Sequence, residues 1–248
     1  MKPIEYLLFN LADDLLILGH RNSEWTGIGP VLEEDIAFAS MAQDKIGQAQ
    51  ALYAILHEEF NHPNPDLLAF SRKENDFYSC HFVEYPIGEY DFSLVRHFLF
   101  DYAQYIRFEA LKQSTFEPLR QLSFKYTGEI KYHLMHADIW MEQLINGNEE
   151  SKARIQSNIK YLWPIAHSMF ETFSCEEKLV KGGVYPGEKE LLKKWSKVII
   201  EKCNQWGVTL NNINIENNGG RAKLHTEHLA PLLQEMTEVF CIDPDAQW

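Results

Sequence analysis

Apolar residues recur at helical spacing along almost the whole chain. From Ile4 to His20, Leu7, Leu11, Leu15 and Leu18 fall on one side and Tyr6, Phe9 and Leu16 on another, which predicts a helix with two apolar faces. Gly27-Ile28-Gly29-Pro30 then marks a turn, too short for a phosphate loop. The next helix opens with Glu33, Glu34 and Asp35, where acids suit the positive end of the helix dipole, and runs to about Phe60 before Asn61-His62-Pro63. Asn64-Pro65-Asp66 caps a short helix through Phe70, and Ser71 to Glu89, with Pro86 and Gly88, reads as a loop. Asp91 is the expected N-cap of a third long helix reaching about Lys112. A fourth runs from about Phe116 to Ile145 and stops at Asn146-Gly147.

Two antiparallel pairs of long helices, joined by a longer crossover, predict an all-α, ferritin-like four-helix bundle over about 4–145, with additional C-terminal helices over about 149–248. In that extension Glu149 to Phe173 carries Pro164, expected to kink the helix. Ser174 to Lys181, Gly187 to Trp206 and Leu224 to Phe240 read as further helices, the last tolerating Pro231 near its start and placing His225 and His228 at its beginning. Val208 to Gly220 reads as an Asn-rich loop. No repeat or Gly/Ser linker divides the chain, so one domain is expected over 1–248.

The composition of the 248 residues, 45% hydrophobic and 13% aromatic, supports a sizeable core. A formal net charge of -13 argues against a nucleic-acid or anionic-membrane partner, since both reward Lys and Arg. Glu5, Asp13 and Asp14 interrupt the apolar start, which therefore reads neither as a signal peptide nor as a membrane span, and a cytoplasmic location is expected. Cys80, Cys175, Cys203 and Cys241 lack C-x-x-C spacing and read as buried or idle thiols.

Polar residues that interrupt the apolar stripes carry the chemistry. On the second helix Phe38, Met41, Lys45, Gln48, Leu52 and Ile55 alternate steps of three and four, so Lys45 and Gln48 stand where apolar groups are expected. The third helix shows Leu94, Phe98, Asp101, Tyr105 and Phe108, and the fourth Ile130, His133, Ala137, Met141 and Leu144. Asp13 and Asp14 interrupt the first. Each helix thus aims at least one polar group at a common interior, where an unpaired charge is expensive. A di-iron bundle would supply the partners with one carboxylate from each of two helices and a Glu-x-x-His pair from each of the others. Here Lys45 and Gln48, and Ile130 and His133, stand at the pair positions. Asp13 or Asp14, Asp101 and His133 supply about three of the roughly six ligands required, and a lysine would repel a cation. Two readings of Lys45 follow: an internal cation pairing with Asp101, Asp13 or Asp14, or a side chain snorkelling out along the helix surface. His133 is expected as a hydrogen-bonded core histidine, and Glu129 and His136 at the stripe's edge.

From end to end the sequence resembles the C-subunit family of bacterial ring-epoxidising phenylacetyl-CoA monooxygenases, ferritin-like proteins of phenylacetate degradation. The likeness rests on SEWTGIGPVLEEDIAFASMAQDKIGQA (Ser23 to Ala49), LLAFSRKENDF (Leu67 to Phe77), the Glu129-x-x-Tyr132-His133 helix, GGRAKLHTEHLAPLLQEM (Gly219 to Met236) and the terminal Gln247-Trp248. The resemblance implies a metal-free structural subunit, with no cofactor of its own, in stable complex with a catalytic A subunit that carries the di-iron site. The catalytic subunit's second-helix motif is similar to Gln43-Asp44-Lys45-Ile46-Gly47-Gln48, with Lys45 replacing a ligand Glu and Gln48 a ligand His. Its fourth-helix motif is similar to Glu129-Ile130-x-x-His133, with Ile130 replacing a ligand Glu. Two alternatives stand beside this one. One is a self-sufficient metalloenzyme with a reduced iron site around Asp13, Asp101, Glu129 and His133; the other is a homodimer formed when the partner is absent.

Overall fold

The computed structural model describes residues 1–210 and 219–243. Most of the Asn-rich loop and the terminal Gln247-Trp248 lie outside them. Among the described residues ten α-helices follow in order: α1 (Pro3–Ser23), α2 (Leu32–Phe60), α3 (Pro65–Phe70), α4 (His81–Glu84), α5 (Tyr90–Leu111), α6 (Glu117–Ile145), α7 (Glu149–Ala166), α8 (Glu176–Lys181), α9 (Glu188–Gln205) and α10 (Leu229–Thr237). There is no strand among the described residues, and the all-α class is consistent with a ferritin-like helical bundle. No described helix is long and apolar enough to cross a membrane. The chain divides into two compact units, residues 1–86 with 218–248 and residues 87–217.

In the first unit α1 and α2 form an antiparallel pair. Tyr53 reaches Asp13, and Trp25 packs on Phe38 with ring centroids 6.0 Å apart. A Cβ at Gly19 would lie 2.8 Å from Ile46 Cγ1, so the missing side chain lets the helices approach closely. From Leu7 to Gly19 every residue of α1 is buried, which two apolar faces foreshadowed; α2 buries one stripe, containing Phe38, Met41, Lys45, Gln48, Leu52 and Ile55. Asn61 ends α2 in the left-handed conformation (φ 58°), and the Asn64 side chain accepts the Leu67 N–H to cap α3.

Two local expectations fail here for tertiary reasons. The segment after α3 contains a short 3₁₀ turn, Glu74–Asp76, and α4. The Cys80 N–H at the start of α4 donates to the Asp14 carboxylate, 2.8 Å away, a partner no local pattern reveals. The last helix begins at Leu229 instead of Leu224, because Thr226 donates its N–H and hydroxyl to Glu84 outside any helix. Pro231 lies in the first turn of α10, where its missing N–H has no intrahelical acceptor to lose.

In the second unit α5 and α6 are the antiparallel pair, with Tyr90 near Trp140 and Phe108 near Tyr126 at 6.1 and 5.3 Å between centroids. All residues from Ser93 to Gln104 on α5 are buried, whereas α6 buries a single stripe that includes Ile130, His133, Ala137 and Met141 and ends on Ile145, not on the half-buried Leu144. Glu89, not Asp91, is the N-cap of α5. The Asp91 carboxylate instead accepts hydrogen bonds from Arg154 (3.1 and 2.6 Å) and from Asn158 (2.6 Å) on α7. Pro164 sits in the last turn of α7, which tightens three residues later into the 3₁₀ turn His167–Phe170. On α9, Trp195 stacks on Trp163 at 4.9 Å and donates its indole N–H to the Leu99 carbonyl on α5 at 3.0 Å.

Candidate functional site

All seven polar or substituted positions singled out from the sequence, Asp13, Asp14, Lys45, Gln48, Asp101, Ile130 and His133, are buried, the most exposed being His133 at 3%. Lys45 is only 1% exposed, so it does not snorkel to the surface. Helical register puts Lys45 and Gln48 on one face of α2, between Met41 and Leu52.

Asp13 and Asp14 are adjacent in sequence, yet each is gripped by a different arginine. Asp13 accepts from Arg72 Nη1 and Nη2 (3.0 and 2.5 Å), from the Tyr53 hydroxyl (2.5 Å) and from the Tyr78 N–H (2.7 Å). Those four donors match the four lone-pair sites of a carboxylate. Burial alone would lower the Arg72 pKa, but the Asp13 charge outweighs it and holds the guanidinium above its usual range; burial and Asp13 together push the Tyr53 hydroxyl well up. Asp14 accepts from Arg221 Nη1 and Nη2 (2.9 and 2.6 Å) and from the Cys80 N–H. Arg221 Nη1 also donates to the Tyr78 carbonyl at 2.6 Å. The expectation that Lys45 pairs with Asp13 or Asp14 is thereby corrected, since both carboxylates are neutralised by guanidinium groups from outside the long helices.

In the second unit Asp101 and His133 do come together, with His133 Nδ1 3.6 Å from Asp101 Oδ1. The closer partner of Asp101 is His97, one turn earlier on α5, whose Nδ1 meets Oδ2. His97 Nε2 in turn lies 3.3 Å from His136 Nδ1. The result is a buried line of imidazoles about one carboxylate, running from half-buried His136 through His97 and Asp101 to His133. Ile130 packs within the α6 stripe and Glu129, at the edge of it, pairs with Lys125 at 3.6 Å.

These residues do not fit an iron site. The oxygens of Asp13 are already occupied by four donors, Lys45 brings an ammonium where a ligand carboxylate is needed, and Ile130 brings no donor atom. Among the described residues no group of three or more His, Cys, Asp or Glu side chains is arranged to hold a metal ion.

Sequence reasoning missed the partners more than the acids. Arg72 and Arg221 lie in the irregular segments, and His97 lies one position off the stripe drawn through Phe98 and Asp101, although its i, i+4 spacing to Asp101 was a readable signal. A second buried pair, Glu84 and His225, was also missed: His225 Nδ1 lies 2.7 Å from Glu84 Oε1, and Ser79 and Thr226 add hydrogen bonds to the same carboxylate. Burial would raise the Glu84 pKa, but these bonds bring it below the ordinary carboxylate value; burial would lower that of His225, but Glu84 raises it. Arg107 is likewise tied down inside the second unit, by Glu188 (3.0 Å), the Tyr185 hydroxyl and the Met169 carbonyl.

The profile of the family described as "Phenylacetic acid catabolic protein" matches residues 2–248. The C subunit of the 1,2-phenylacetyl-CoA epoxidase of Escherichia coli (strain K12) is 30% identical over 248 residues, covering 100% of both chains.

Proposed function

Because the chain belongs to the phenylacetic acid catabolic protein family, we propose that it is a non-catalytic, structural subunit of a phenylacetyl-CoA epoxidase, binding and stabilising the subunit that carries the iron. The observation that carries the reading is the burial of Lys45 and Gln48 side by side on α2. They stand where the related catalytic subunit places a ligand carboxylate and a ligand histidine. A lysine there keeps a positive charge inside the protein without a metal, and the helical framework is retained.

In this reading the epoxidation takes place on the partner, and the chain contributes a rigid scaffold. Its rigidity is supported by the Asp13 and Asp14 networks, each of which ties α1 to segments distant in sequence. A self-sufficient enzyme built on Asp13, Asp101, Glu129 and His133 is disfavoured. Asp13 would have to release Arg72, and Glu129 pairs with a lysine at the helix surface.

Coexpression with the catalytic subunit tests the proposal. Tagged chain should retain the partner through gel filtration, and iron should follow the partner when the two are separated by denaturant. Separate elution of the two proteins at micromolar concentration would overturn it. So would stoichiometric iron on the isolated chain that is lost on replacing His133.

A further inference from the structure

We propose that the outer face of α6 is a two-fold seam on which a second copy of this chain docks through its own α6, in antiparallel orientation. The inner stripe of α6 is filled by Ile130, His133, Ala137 and Met141. A second stripe on the opposite side exposes large apolar side chains: Tyr132 is 72% exposed, Met135 56% and Ile139 48%. A contiguous exposed apolar patch on a protein surface marks an interaction site.

The sequence of that face repeats with helix-pairing geometry. Lys125, Gly128, Tyr132, Met135, Ile139 and Glu142 follow steps of three and four, the spacing that keeps a seam facing a partner helix. A two-fold axis passing between Tyr132 and Met135 sets Tyr132 against the partner's Met135, Gly128 against the partner's Ile139, and Lys125 against the partner's Glu142. Each contact is complementary in shape or charge. The polarizable thioether of methionine packs favourably on an aromatic ring.

Gly128 has nothing within 4 Å of where its Cβ would be, so it leaves an open gap on the helix surface. A glycine in an exposed helix interior weakens the helix relative to alanine, and a gap that receives an isoleucine from the facing helix accounts for it. The Lys125 side chain, which reaches Glu129 of its own helix at 3.6 Å, is still 70% exposed, and Glu142 is exposed as well. A parallel pairing of the same faces would set Lys125 against Lys125 and leave the gap facing another gap. The charge pattern therefore selects the antiparallel, isologous arrangement, in which every contact occurs twice.

The seam is independent of the epoxidase reading, and failure to copurify with a catalytic subunit leaves it standing. Sedimentation equilibrium of the full chain, from submicromolar to hundreds of micromolar, tests it, with far-UV circular dichroism as a check on folding. A concentration-dependent dimer is expected. Lys125→Glu alone or Glu142→Lys alone should weaken it severalfold by setting like charges together, the two combined should restore it, and Ile139→Glu should leave a monomer. A chain that stays monomeric throughout overturns the proposal. A dimer indifferent to all of these substitutions does so too. If the substitutions leave self-association unchanged but abolish binding to the catalytic subunit, the face belongs to that partner and the proposal falls.

Discussion

Arg221 grips Asp14 through two parallel hydrogen bonds of 2.9 and 2.6 Å, although the two residues are 207 positions apart. Both side chains are buried, at 2% and 0% exposure, so the segment Gly219 to His228 is locked onto the middle of α1 by a charge pair shielded from water. Removing one partner of such a pair strands the other. Arg221→Met is therefore expected to lower stability by about 3–5 kcal/mol, and Arg221→Met combined with Asp14→Leu by clearly less than the sum of the single effects. Urea denaturation of the three variants checks this.

Lys45 makes a parallel case on α2. A buried ammonium is tolerated only with internal partners, so Lys45→Met should leave a negative partner uncompensated and cost about 3–5 kcal/mol. The measurement is the midpoint of thermal or urea unfolding. An unchanged midpoint would mean that the charge of Lys45 is not used inside the protein.

His20 predicts a sensitivity to acid. Burial lowers its folded pKa to about 4 from 6.5, so the unfolded chain takes up a proton that the folded chain refuses. Stability contributed by keeping His20 neutral is thus lost progressively as pH falls from 6.5 towards 4, by at most roughly 3 kcal/mol. His20→Phe should flatten that part of the stability profile while leaving stability above pH 7 little changed, since the ring already packs edge-on against Phe70. Urea midpoints measured across pH 4–8 read the difference.

Glu84 and His225 act in a different window. The folded pKa of His225 is raised above 6.5, so its contribution is complete below that pH and is lost as pH rises through the folded value. Glu84 is lowered below 4.5, so its contribution is complete above that pH and is lost as pH falls through the folded value. The stability difference between the parent and a Glu84→Gln, His225→Gln double variant should therefore be largest between pH 4.5 and 6.5 and shrink on either side. Stability curves of both proteins across pH 3–9 provide the check.

The sequence by itself determined the long helices and which of their positions point inward. Steps of three and four, acids in first turns and the Asn61-His62-Pro63 and Asn146-Gly147 stops are local signals, and α2, α3 and α6 follow them to within a residue or two. The same periodicity flagged Lys45, Gln48, Asp101 and His133 as polar groups in apolar stripes. Pattern could not name their neighbours. Asp13 is completed by Arg72, 59 residues away, and Glu84 by His225, 141 away. Such partners sit in irregular segments that have no periodicity to read. Only the tertiary structure decided that Asp14 accepts the Cys80 N–H at the start of α4, that Thr226 is held by Glu84 outside α10, and that Asp91 binds Arg154 instead of capping α5. In each of these the energetics of a buried charge, which must find donors wherever the fold brings them, overrode the preference of the local chain.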